Sequence, residues 1–133
     1  MAQEVQVQVR QISASTSECT ARQHKTLSDR PEAKDGADRG PMGGEMLLMG
    51  LGGCFMSNLL AAIKAREAAV SNVSIVLSAT LTDAPARFSE VKLVISGNYD
   101  DKAGMEKLVT IAERGCIVAN TIKDAVRLSF EVA

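Results

Sequence analysis

Tryptophan is absent and aromatic residues make up only 3% of the 133 positions, so the chain offers no stacking platform for single-stranded nucleic acid. An excess of charge is missing too. The formal net charge is −1 with 23% charged residues, which leaves no field to attract DNA, RNA or anionic lipid. The three cysteines, Cys19, Cys54 and Cys116, are too few and too scattered for a secreted disulfide scaffold. None belongs to a CxxC pair, and the single histidine, His24, cannot build a metal site alone, so no metal is expected. No flavin or nucleotide motif is present, and no cofactor is expected. The opening MAQEVQVQVRQ lacks a basic segment followed by an apolar run, so it does not read as a signal peptide. A reducing cytoplasm is the expected compartment, and a chain of this length is expected to form one domain over residues 1–133 with a real core.

What the chain does have is one long apolar stretch, GGEMLLMGLGGCFMSNLLAAIKAREAA, residues 43–69. From Met46 to Ile63 its only polar side chains are Ser57 and Asn58, besides the Cys54 thiol. A helix that is apolar all round is buried on all sides or lies in a membrane. Residues 46–63 reach the ~18 apolar residues of a candidate span. Three glycines with Ser57 and Asn58 inside the run argue against a span, as do flanking strands that need this helix as packing partner. Gly50, Gly52 and Gly53 precede Cys54, and each costs a helix about 1 kcal/mol relative to alanine. Such a cost fits close approach of another backbone, or a cysteine held in a tight, dry cleft.

The rest alternates or repeats in recognisable ways. Residues 3–11 set Val5, Val7 and Val9 against Gln6, Gln8 and Arg10, a strand with one buried face. Residues 18–27 read as a second strand with Thr20, Arg22, His24 and Thr26 on one side, closing a hairpin. Residues 28–44, rich in Gly, Pro and mixed charge, support neither helix nor strand and read as a functional or mobile loop. After the long helix, Val73, Ile75, Leu77, Ala79 and Leu81 line one face of a strand. Val91, Leu93 and Ile95 point inward from its hairpin partner beyond Pro85. Asp100 and Asp101 are candidate caps for a helix whose stripe is Met105, Leu108, Val109 and Ala112. Gly115 is expected as its left-handed stop, followed by a short helix over about residues 117–126 and a final strand bearing Leu128, Phe130 and Val132. The expected order is ββ–α–ββ–αα–β, an α+β domain. So few short elements cannot wrap a helix without a polar stripe, which implies a homodimer.

Cys54 lies mid-helix among apolar residues, where a thiol is ordinarily inert core. A nearby cation and a second thiol would change that. Arg22, Arg30 and Arg39 are the candidate cations. Cys116 is the second thiol, inward on the stripe of the preceding helix and at the start of the next, where unsatisfied N–H groups lower a thiol pKa. Cys19 reads as structural. Two inward cysteines on successive buried elements are the pattern of a peroxidatic and resolving pair, or two unrelated core residues.

These segments carry a resemblance. GPMGGEMLLMGLGGCFMSNLL is similar to the signature helix of the OsmC and organic hydroperoxide resistance superfamily, AERGCIVANTIKDA to its second cysteine motif, and ARQHKTLSDRPEAKDGADRG to the arginine-bearing strand and loop of its OsmC-like subgroup. Gly43 and Gly44 stand where the family has Asn/Ser-Pro, and Ile117 stands where it has a proline after the second cysteine. The resemblance implies an intertwined α+β homodimer with two β-hairpins around a long buried central helix, two further helices and a final strand. It implies a thiol-dependent peroxidase for organic hydroperoxides, with Cys54 peroxidatic, Cys116 resolving, an arginine (Arg22 is favoured) beside Cys54, Glu45 as its carboxylate, and an external dithiol as reductant. Nine helical residues put Glu45 opposite Cys54 and ~13 Å along the axis. Glu45 therefore serves the site through an irregular first turn or in the partner, or else complements the helix dipole. An apolar cleft of Leu51, Phe55 and Met56 would favour organic peroxides. The alternatives are a non-catalytic redox-sensing or ligand-binding dimer of the same fold, or a carrier of hydrophobic ligands.

Overall fold

The computed structural model describes residues 2–133. The element order is β1 (Gln8–Gln11), β2 (Ser17–Ala21), β3 (His24–Ser28), α1 (Gly43–Ala65), β4 (Ser71–Thr82), β5 (Arg87–Asn98), α2 (Lys102–Gly115), α3 (Ile117–Ile122) and β6 (Arg127–Val132), with a 3-10 turn at Glu32–Lys34. This is an α+β chain with a long central helix and two three-stranded sheets, β1-β2-β3 and β4-β5-β6. It falls into two compact units, one ending at Leu47 and the other spanning Leu48–Ala133.

The first unit departs from the expected single hairpin. Residues 18–27 are not one strand: the chain reverses at Arg22, whose φ of 56° is left-handed, and Ala21 pairs with His24 across the turn. Arg22 therefore sits exposed on a turn rather than on a strand. The expected strand over residues 3–11 shortens to Gln8–Gln11, because pairing runs from Gln8↔Thr20 to Gln11↔Ser17 and β2 then ends. Its valines are not buried in the single chain: Val7 is 69% and Val9 64% exposed.

The loop after β3 has an organising centre that its composition hid. Asp29 is buried, and Oδ2 accepts from the Thr16 hydroxyl (2.7 Å) and the Arg39 N–H (3.2 Å). Oδ1 accepts from the Arg30 N–H at 2.7 Å and the Ala37 N–H at 3.5 Å. Burial pushes this carboxyl up, but the hydroxyls of Thr16 and Ser15 and the N–H groups of Arg39 and Arg30 outweigh it and hold the group well below the usual carboxylate range. A side chain at Gly36 would collide with the Arg30 carbonyl, so the loop closes only with glycine there.

The second unit carries a conventional core. β5 pairs antiparallel with β4 and parallel with β6, and the α2–α3 crossover makes the parallel return. Leu51, Phe55 and Leu59 of α1 pack with Val91, Leu93 and Ile95 of β5 and with the stripe Met105, Leu108, Val109 and Ala112 of α2. Phe55 stacks, tilted, on Phe130 of β6 at 5.0 Å between ring centroids. A Cβ at Gly52 would lie 2.8 Å from Leu77 Cδ1, so this glycine lets α1 settle onto β4.

Several local expectations change. A register shift between Thr80 and Leu81 leaves Leu81 exposed rather than inward. Asp101 occupies the N-cap position of α2, but its side chain makes no capping hydrogen bond. Gly115 is not left-handed; it is the last residue of α2, and Cys116 ends the helix in extended conformation. The final short helix stops at Ile122. Most consequentially, α1 is not buried all round within one chain. The face of Leu51, Gly52, Phe55, Leu59 and Ala62 is buried, whereas Leu47, Met49 and Leu60 are 46%, 54% and 52% exposed.

Candidate active site

The two sulfurs expected to work together do meet, inside the second unit. Cys54 sits on α1, half-buried, one position before the core residue Phe55 and beside the α2–α3 junction. Cys116 is fully buried as the one residue between α2 and α3. Its Sγ caps α3 by accepting from the Ala119 N–H at 3.5 Å. The Cys116 and Cys54 thiols are close enough for each to shift the other's ionisation.

The two thiols are polarised in opposite directions. Burial pushes Cys54 up, but hydrogen bonds from the Val118 N–H, the Cys116 thiol and the Ile117 N–H outweigh burial, and the net shift is downward. Burial pushes Cys116 up. The Ala119 and Val118 N–H groups act against this, while donation to Cys54 and repulsion from its charge add to it, and the net shift is upward. The expectation that the start of α3 would favour a thiolate at Cys116 is thus corrected: its Ile117 N–H serves the Cys54 sulfur, its Val118 N–H is shared between the two, and burial of Cys116 outweighs what remains. At neutral pH Cys54 is the sulfur that ionises more readily, and Cys116 keeps its proton and donates it.

Asn58, one turn beyond Cys54, completes this cluster. Its Nδ2 donates to the Cys54 carbonyl at 2.9 Å and lies 4.0 Å from the Cys54 Sγ. A Cβ at Gly115 would stand only 2.8 Å from Asn58 Oδ1, so a side chain at 115 would require the amide to shift. In the sequence Asn58 stands out only as a polar exception in an apolar run. That exception was the available signal.

The remaining expected residues belong to the first unit. Glu45 Oε1 accepts from the Met42 N–H at 2.8 Å, and the Met42 carbonyl accepts from the Met46 N–H at 2.9 Å. This is the N3-to-N-cap half of a capping box, so the carboxylate satisfies an orphan donor and faces the positive end of α1. Of the two readings offered for Glu45, its hydrogen bond is that of the helix terminus. Arg22, Arg30 and Arg39 are exposed, and none makes an ion pair among the described residues. Cys19 faces Val9 and Thr26 across its neighbouring strands. The apolar cleft is corrected as well: Leu51 and Phe55 are fully buried core, and only Met56 of the three is partly open. A hollow of about 570 Å³ in the first unit is lined by Val7, Val9, Cys19, His24 and Met46. Another of about 290 Å³ in the second unit is lined by Arg66, Tyr99, Asp101 and Lys107, and neither contains Cys54 or Cys116.

Comparison with known proteins adds a family. Among curated proteins no relative matches the sequence. Solved structures match over their whole length at low identity. The OsmC-like protein from Mycoplasma pneumoniae superposes with a TM-score of 0.87 at 14% identity, covering 100% of this chain and 98% of that one. An organic hydroperoxide resistance protein OsmC from Legionella pneumophila gives 0.76 at 17% identity, covering 100% and 98%. The organic hydroperoxide resistance protein OhrB of Bacillus subtilis gives 0.71 at 18%, covering 98% of each. At such identities these likenesses establish the fold. The family model described as OsmC-like protein matches residues 35–131, which include α1, both sulfurs of the pair and all of the second unit except its last residues, and the chain belongs to the OsmC-like protein family.

Proposed function

We propose that this protein is a thiol peroxidase that reduces organic hydroperoxides to alcohols. The observation that carries the reading is the unequal thiol pair: Cys54 drawn toward its thiolate by neighbouring N–H and S–H donors, and Cys116 buried, protonated and beside it. The Cys54 thiolate attacks the distal peroxide oxygen, the O–O bond breaks, and the alkoxide takes a proton to leave as alcohol. Cys54 becomes a sulfenic acid. The Cys116 sulfur then attacks it, a disulfide forms, and the sulfenic oxygen leaves as water. An external dithiol donates two electrons and two protons to restore both thiols. No resident cofactor or metal takes part in this scheme.

The family resemblance implies an arginine as charged partner of the thiolate. The strand placement that would favour Arg22 is removed by its turn position, so Arg22, Arg30 and Arg39 stand as alternatives to be separated by single alanine substitutions. Glu45 is assigned first to the helix cap, because its carboxylate is engaged there. The partner we assign to the outer face of α1 is a second copy of the chain. Gly50 and Gly53 have open space where a Cβ would point, and exposed Leu47, Met49 and Leu60 flank them, a surface small and apolar enough for another backbone to approach. The compartment we assign is the reducing cytoplasm.

The test is free-thiol content after one equivalent of cumene hydroperoxide. Wild type is expected to lose two thiols rapidly, Cys54→Ser none, and Cys116→Ser is expected to yield a sulfenic acid trappable with dimedone. Thiols that stay reduced in the folded wild type sink the peroxidase. A non-catalytic dimer of the same fold then takes its place, a reading favoured by the use of Glu45 in the cap.

A further inference from the structure

We propose that Asn58 is the positioning residue of the Cys54–Cys116 pair, a wedge between α1 and the α2–α3 junction that sets the approach of the two sulfurs. Its carboxamide touches both sides of the gap. On one side Nδ2 holds the Cys54 carbonyl at 2.9 Å and stands 4.0 Å from Sγ. On the other, Oδ1 fills the space that a Cβ on Gly115 would need, within 2.8 Å, and Gly115 immediately precedes Cys116. A side chain tied to its own helix by one atom and abutting a backbone by the other fixes the separation of the two segments. Disulfide closure is sensitive to that separation, because the Cβ–S–S–Cβ geometry tolerates little error. Apolar residues of similar size would fill the gap without holding Cys54. Serine would hold without filling.

The inference rests on the peroxidase reading for its biological use, but the pairing geometry can be tested without it. Diamide takes two electrons and two protons from a thiol pair and leaves a disulfide, with no peroxide step. Closure of the Cys54–Cys116 bond would be followed by intact mass and thiol count in wild type, Asn58→Ala, Asn58→Asp, Gly115→Ala and the Asn58→Ala/Gly115→Ala double variant. Misplacing reacting groups by about 1 Å costs up to ~100-fold, so closure should slow at least about tenfold in each single variant. Asn58→Asp keeps the volume but turns the donor into a second acceptor facing the Cys54 carbonyl, and it remains available if the alanine variant does not fold. The double variant is the decisive arm. The methyl added at 115 enters space vacated by the amide, so it should close no more slowly than Asn58→Ala alone. With cumene hydroperoxide, the same variants should form the Cys54 sulfenic acid while its conversion to disulfide lags. Closure at the wild-type rate in both Asn58 variants overturns the proposal, as does a double variant in which the two slowdowns multiply. Failure of the wild type to react with peroxide, with diamide closure still dependent on Asn58, removes the peroxidase and leaves the wedge.

Discussion

The two units of this chain are held by different forces. In the unit ending at Leu47 the buried residues are Thr16 and Asp29, both polar, and the structure turns on one carboxylate that collects N–H and O–H donors from three stretches of chain. In the unit from Leu48 onward the buried residues are apolar, apart from the glycine at 52, and run from Leu51 to Val132 through every element but β4, whose inward side chains are only partly buried. The difference teaches where each kind of order comes from. Apolar burial is non-directional and tolerates approximate shape, so it can assemble a core from residues far apart in sequence. A buried carboxylate is stable only when its donors are in place, so it specifies one loop path sharply while contributing little to compaction. The two thiols, Cys54 and Cys116, stand in the first kind of environment but are polarised by the second, with hydrogen bonds drawing Cys54 below the ordinary thiol range.

The largest effect is expected where the apolar core is densest. Phe55→Ala removes a fully buried ring that stacks on Phe130, and it should cost about 3–5 kcal/mol in denaturant unfolding. Asp29→Asn should cost less globally yet act more sharply nearby. An amide NH2 in place of Oδ2 would face the Thr16 hydroxyl and the Arg39 N–H, donor against donor. The amide hydrogens of Arg30, Ala37 and Arg39 should then exchange faster while those of β5 keep their protection. If β5 loses protection equally, the units share one source of stability and the contrast fails. The pH dependence has a definite sign. Because the folded-state value of Asp29 lies below its unfolded one, its contribution is complete above the unfolded carboxylate pKa of about 3.9 and is lost only as pH falls further, through the folded value. The loop of wild type should therefore stay ordered through mild acid, and Asp29→Asn should lack that acid transition.

A third substitution asks whether hydrogen bonds rather than burial govern the sulfur. Ile117→Pro removes one N–H donor from Cys54 at the first position of α3, where a helix tolerates proline. The pH at which Cys54 becomes half-alkylated by iodoacetamide should rise toward the ordinary thiol value of about 8.5, with unfolding little changed. The wild-type thiol is drawn below its ordinary range, because the Val118, Cys116 and Ile117 hydrogen bonds outweigh burial. An unchanged midpoint would hand control of the thiolate to another group.

How much of this could be read from residues alone follows the same division. The β4–β5 hairpin, the α2 stripe and β6 were legible because apolar periodicity encodes which face is buried, whereas α1 was legible only as a long apolar run that did not show which of its faces the core takes. The nearness of Cys54 and Cys116 was legible as two inward cysteines on buried elements. The Asp29 centre was not, since a bond from Thr16 to a carboxylate 13 positions away leaves no periodic trace. The reversal at Arg22 was hidden because a left-handed arginine carries none of the usual turn chemistry. Gly115 looked like a helix stop, and only the position of Asn58 reveals that it is small to admit a neighbour.

The smallest effect tests the contrast from its other side. Glu90 on β5 pairs in register with Arg127 on β6, and Oε2 lies 3.7 Å from Nη1 with the two side chains 46% and 81% exposed. An ion pair this open is screened and loses side-chain entropy on forming, so Glu90→Gln should shift unfolding by no more than about 0.5 kcal/mol. The register of the parallel pair is already set by apolar partners, Val91↔Leu128 and Leu93↔Phe130, whose displacement by one residue would turn the core face outward. A double-mutant cycle with Arg127→Gln isolates the pair. A coupling above about 1 kcal/mol, beyond the usual range for exposed pairs, would mean that charge as well as burial orders the second sheet. The separation between a polar first unit and an apolar second would then be one of degree.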